Sequence, residues 1–149
     1  MLEQQIEQDL KSALLAGEKD KATLLRGLKA KLLDEKIAAG KRESGLTDEE
    51  VLKVLSKQSK QRQESADLYR QGGDEARALK EEDEKSIIDD YLPKQLDEAE
   101  IVKMIEEAIQ QIGATGIQAM GPVIGQVKAK AGPTADGATI ARLVKEKLQ

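Results

Sequence analysis

The sequence predicts an all-α fold: an N-terminal four-helix, bundle-like domain over residues 1–93, then a small three-helix tail domain over residues 94–149. Three observations predict it. Ala, Glu, Lys, Leu and Arg supply about half of the chain, the composition of helices with long solvated faces. Apolar residues recur at steps of three and four, and no useful stretch alternates as a strand does. Capping patterns and glycine breaks fall at helix-length intervals.

The first helix is expected over about residues 2–16, with Leu2, Ile6, Leu10, Ala13 and Leu14 as its apolar stripe. Gly17 stops it, and Asp20 is the expected N-cap of a second helix running to about residue 39. That helix carries Leu24, Leu25, Leu28, Leu32 and Ile37 on one side and Lys21, Lys29, Lys31 and Lys36 on the other; Gly40 ends it. A third helix opens at Thr47-Asp48-Glu49-Glu50, a capping box in which hydroxyl and carboxylate satisfy each other's backbone amides. Val51, Val54, Leu55 and Leu68 are its expected inward residues, yet residues 56–66 contain no large apolar side chain. That middle reads either as a solvated overhang or as a polar surface for a partner, with Lys57, Lys60, Arg62 and Glu64 as candidate contacts.

Gly72-Gly73 breaks the third helix and Asp74 caps the fourth, which ends near Leu92 with Ala76, Leu79, Ile87, Ile88 and Tyr91 as its expected core. Glu81-Glu82-Asp83-Glu84 point in four directions on a helix, so they read as a solvated face paired with Lys80 and Lys85, not as an acid–base site. Pro93 marks the boundary. Asp97-Glu98-Ala99-Glu100 is a second capping pattern, opening a fifth helix with Ile101, Met104, Ile105, Ala108, Ile109 and Ile112 in one stripe. Residues 113–137 then hold six of the 12 glycines. A short helix over residues 121–131 turns Val123, Ile124 and Val127 inward, with Pro122 in its first turn and Gly125 allowing close approach. Asp136 caps the last helix, residues 137–148, with Ile140, Leu143, Val144 and Leu148 inward.

Absences exclude much chemistry. The chain has no His, Cys, Trp or Phe and two Tyr. Thiol nucleophiles, zinc and iron–sulfur sites and histidine-based triads are therefore excluded. Any metal would need oxygen ligands. No catalytic residue, metal ligand or cofactor is expected. The acidic start Met1-Leu2-Glu3-Gln4-Gln5-Ile6-Glu7 lacks the apolar run of a signal peptide, and no stretch suits a membrane span; a cytoplasmic protein with no membrane partner is expected.

Charge is uneven. Residues 1–93 hold 17 basic and 21 acidic groups, whereas residues 118–149 hold 5 and 2. Lys128, Lys130, Arg142, Lys145 and Lys147 are the basic members of that last stretch. They serve either to complement helix C-termini or to touch phosphates beside the glycine-rich turns.

Three landmarks carry a resemblance: Lys60-Gln61-Arg62-Gln63-Glu64-Ser65 ahead of Gly72-Gly73, then Tyr91-Leu92-Pro93-Lys94-Gln95-Leu96, then Met120-Gly121 through Gly125, Gly132 and Ala135-Asp136-Gly137. In this order they resemble the YqeY (GatB/YqeY-like) family over nearly the whole chain. The resemblance implies an N-terminal helical bundle and a tail similar to the C-terminal domain of the GatB component of the tRNA-dependent Asp/Glu amidotransferases. There the tail contacts the tRNA body and the chemistry belongs to other domains. Gly121, Gly125, Gly132, Asp136 and Gly137 fit the tail pattern. Pro122 and Pro133-Thr134 depart from it, standing where the family often has basic residues.

The leading expectation is a non-catalytic helical module whose tail binds tRNA, or an aminoacylation- or amidotransferase-type complex, through phosphate contacts; no DNA partner is expected. A protein–protein adaptor using the polar middle of the third helix is the alternative. A carbon–nitrogen ligase with glutamine as amido donor, the activity the family label implies, ranks third.

Overall fold

Seven α-helices follow one another in the computed structural model, which describes residues 1–149. They are α1 (Leu2–Leu15), α2 (Lys19–Ala38), α3 (Asp48–Gln71), α4 (Glu75–Asp89), α5 (Glu98–Ile112), α6 (Met120–Ala131) and α7 (Gly137–Leu148). Single 3-10 turns cover Ile117–Ala119 and Gly132–Thr134. The class is all-α, as expected. The chain forms two compact units, Met1–Leu92 and Pro93–Gln149.

In the first unit, Ile6, Leu10 and Ala13 of α1 meet Ala22, Leu24, Leu25, Leu28 and Leu32 of α2, Val51 and Leu55 of α3 and Ile88 of α4. Each large side chain buried this way contributes about 1.5–3 kcal/mol. Polar contacts hold the ends. The Leu2 amide donates to Asp48 at 3.0 Å, and the Leu46 amide donates to Glu3 at 3.0 Å. The Thr47 hydroxyl accepts from the Glu50 amide at 3.2 Å while Glu50 accepts from the Thr47 amide at 2.8 Å, completing the capping box. The Tyr91 hydroxyl donates to Asp9, fastening the chain after α4 to α1.

Several expected inward residues lie elsewhere. Leu14, Ile37, Leu68, Leu79 and Ile112 are 49%, 56%, 66%, 49% and 39% exposed. At 100° per residue, Ile37 falls on the far side of α2 from Leu28, and Leu68 turns well away from Leu55. In α4 it is Ala78, not Ala76, that is buried. The second helix starts one residue before Asp20, with Glu18 at the N-cap position, so Asp20 serves its first turn.

The middle of α3 is neither an overhang nor a bare surface. It is one side of a polar seam with α4. Gln58 and Ser59 are buried and Ala66 is fully so. Ser59 donates to Asp89, which also pairs with Lys85. Arg62 lies between Glu84, 3.0 Å from its Nε, and Glu81, 3.8 Å away. The Nε is buried and its approach to Glu84 is off-line, so the contact is ionic without a hydrogen bond. Arg70 binds Glu75 at 3.1 Å and also Glu82. In the antiparallel register these pairs set, Ala66 falls opposite Ala78, also fully buried. Gly73, at φ +79°, makes the left-handed turn that joins the two helices. The run Glu81 to Glu84 is accordingly divided: Glu81, Glu82 and Glu84 reach across to α3, and Asp83 stays in solvent.

In the second unit, Ile101, Ile105 and Ala108 of α5, Val123 and Val127 of α6, and Ile140, Leu143, Val144 and Leu148 of α7 form the core. Asp97 and Glu100 make the expected capping box. Gly113, at φ +70°, ends α5 in the left-handed conformation. The Leu96 amide donates to the Thr134 carbonyl at 2.8 Å, pinning the start of this unit to the turn before α7. Gly125 is exposed, and a Cβ added there would meet nothing within 4 Å. It therefore marks no close helix approach. No helix is long and apolar enough to cross a membrane.

Candidate nucleic-acid interface

The five cations of residues 118–149 lie on the outer faces of α6 and α7, all exposed. Periodicity puts them there, because Val123, Val127, Ile140, Leu143 and Val144 take the inward positions. Three of the five face carboxylates of α5. Lys130 bonds Glu107 at 3.0 Å and Lys147 bonds Glu106 at 2.8 Å. Arg142 binds Glu98 across the unit and Glu146 on its own helix at 3.2 Å. The hydrogen bond from Lys130 holds the Glu107 carboxyl below its ordinary range, and bonds to Glu146 and Glu98 hold Arg142 more firmly protonated. The positive window at residues 118–149 is thus largely offset by acids 23, 41 and 44 residues away, a pairing invisible within the window itself.

Lys128 and Lys145 make no ion pair. Lys128 folds across Gly137, the first residue of α7, so closely that a Cβ there would sit 3.1 Å from its Cε and 3.3 Å from its Nζ. Glycine leaves room for that lysine. Asp136 caps the same helix end by accepting from the Thr139 amide at 3.3 Å. The Gly137 and Ala138 amides precede the capped one and have no acceptor within the helix. An ammonium group and two backbone donors without an intrahelical acceptor therefore meet at one helix end, beside the Asp136 carboxylate that caps it. The other tail glycines have separate roles: Gly121 is exposed within the first turn of α6, and Gly132, at φ +56°, terminates α6.

The family model for Yqey-like protein matches residues 3–148. The chain belongs to the YqeY family. No curated protein matches it.

The YqeY match runs through both units, so it includes the α3 candidates as well as the tail. Of these, Arg62 is taken up inside the α3–α4 seam, whereas Lys57, Lys60 and Glu64 lie exposed on α3. They form no cluster with Arg62, which turns toward the carboxylates of α4. No group of three or more Asp or Glu residues converges as a metal site. The residues that sequence reasoning missed are Glu98, Glu106 and Glu107. Their signal was their own stripe spacing on α5: Glu98 precedes the apolar Ile101 by three, and Glu106 and Glu107 lie between the inward Ile105 and Ala108.

Proposed function

We propose that this YqeY-family chain is a non-catalytic helical module whose tail unit holds tRNA by its phosphates. The observation that carries the reading is the unpaired Lys128 lying over the amino end of α7. A phosphate there gains a charge-assisted bond from the lysine and backbone donors from Gly137 and Ala138. The resemblance of the tail to the C-terminal domain of the GatB amidotransferase component supplies the tRNA half of the reading. With two tyrosines as its only rings, the chain offers almost no stacking platform, so recognition is by backbone and shape and not by base.

Lys128 and Lys145, the two of the five candidate cations without an ion pair, set the scale. The logarithm of the association constant falls with the logarithm of salt at a slope of about −1.4 to −1.8, so binding is weak and salt-sensitive. Anisotropy of labelled bulk tRNA, titrated with the full chain at low and moderate salt, tests it. Lys128→Glu with Lys145→Glu abolishes binding, whereas Lys130→Glu has the smaller effect, since Glu107 already neutralises that lysine. Absence of binding at low salt, or binding indifferent to the double substitution, ends the reading.

A further inference from the structure

α2 is apolar on two sides. One side, Leu24, Leu25, Leu28 and Leu32, is buried in the unit's core. On the other, Thr23, Arg26, Ala30, Leu33 and Ile37 follow one another at alternating steps of three and four, and every one is exposed. Leu33 and Ile37 are 44% and 56% exposed and neither packs on the core. That spacing keeps residues on a single helix face and is the spacing of a helix–helix seam. It is also the part of α2 that packs on nothing in the core of its own unit.

The face is symmetric about Ala30. Arg26 stands four residues before it and Asp34 four residues after; Thr23 stands seven before and Ile37 seven after. Arg26 and Asp34 make no ion pair within the chain, unlike Lys29 with Glu7 and Lys36 with Glu3. A two-fold axis through Ala30, with the second helix antiparallel, brings Arg26 against the copy's Asp34 twice, Thr23 against its Ile37 twice, and Ala30 against Ala30. Gly27 adjoins the axis, and a Cβ there would meet nothing within 4 Å. The small residues at the axis let the two backbones approach closely, and the long ones close the ends. Such a self-complementary patch is what a two-fold homodimer requires.

We propose that the exposed face of α2 is a homodimer interface, occupied by α2 of a second copy in antiparallel register about Ala30. One helix pair buries less than the roughly 1,200 Å² of a standard interface, so the dimer forms at micromolar concentrations and exchanges readily.

Sedimentation velocity on the full chain, over a concentration series reaching about 500 μM to cover a weak interface, tests it. The wild type shifts from monomer to dimer with concentration. Leu33→Glu abolishes the shift. Arg26→Glu and Asp34→Arg each weaken self-association by about tenfold or more, because each sets like charges face to face. Mixing those two variants in equal amounts restores dimer. The introduced carboxylate then meets the introduced guanidinium at one contact, and the native Arg26 meets the native Asp34 at the other. All of these positions are exposed, so unchanged circular dichroism and melting verify the fold. A wild type monomeric throughout overturns the proposal. So does a dimer indifferent to Leu33→Glu, or a mixture that associates no better than its components.

Discussion

The two halves of the α3–α4 hairpin are built by different means. Near its base, Val51 and Leu55 of α3 and Ile88 of α4 join the apolar core that α1 and α2 complete. Beyond Leu55 no member of that core occurs until Ile87. The helices are held there by Ser59 with Asp89, Arg62 with Glu81 and Glu84, Arg70 with Glu75 and Glu82, and by the facing alanines 66 and 78. The same pair of helices thus passes from packing that is non-directional and carries no charge to screen to contacts that depend on charge state and screening. The expectation is that global stability rests on the base and that the distal half opens first.

The largest effect separating the two halves comes from the base. Leu55 is fully buried, and Leu55→Ala removes its transfer energy and leaves a cavity, costing about 2–5 kcal/mol. Urea denaturation followed by circular dichroism measures this as a lower midpoint for the first unit. A cost well under 1 kcal/mol would mean that the apolar base does not anchor the hairpin.

A smaller effect is expected in the seam. Arg62→Ala leaves Glu81 and Glu84 without their shared cation. The Arg62 side chain is 25% exposed and the two carboxylates 22% and 29%, so water partly compensates and the loss is about 1–2 kcal/mol. Its location matters more than its size. Hydrogen exchange accelerates at amides of residues 58–86 and stays unchanged in α1 and the buried part of α2. If exchange rose equally throughout the unit, the hairpin would be one cooperative piece and the contrast would disappear.

The seam also explains what could be read from the sequence and what could not. Helix ends were legible because their signals are local: Thr47 with Glu50, Asp97 with Glu100, Asp136, and the breaks at Gly73 and Gly113 all act within a few residues. Buried faces were legible where one apolar stripe stands alone, as in α7 and in α5 up to Ile109, although Ile112 at the end of that stripe is exposed. In α2, apolar residues lie on two sides, and Ile37 was placed with the wrong one. In the distal seam of α3 and α4 the enclosed groups are Gln58, Ser59, the Nε of Arg62, Ala66 and Ala78, none of which periodicity of large apolar residues can identify. Their partners lie across a turn on another helix. The tail cations follow the same physics: Lys130, Arg142 and Lys147 were legible as charges, but their carboxylate partners on α5 are distant in sequence, so a local charge count overstated the patch.

Acid is the gentlest probe of the contrast. Hydrogen bonding from Arg70 holds Glu82 below the ordinary carboxyl value of 4.5, so the folded seam binds that proton more weakly than the unfolded chain does. The stabilisation is complete above pH 4.5 and is lost as pH falls from there through the lowered value. At the base, the Lys41 bond lowers Glu50 in the same direction, but the apolar residues beside it carry no titrating group and keep their packing after that carboxyl is protonated. Protection factors normalised for intrinsic exchange should therefore fall first at residues 66–82 on acidification, while amides near Leu25, Leu28 and Leu55 hold until the unit unfolds as a whole. A simultaneous loss at both ends would show that Arg70 and its carboxylates stabilise the hairpin only through the base, and that the seam has no independent response to charge.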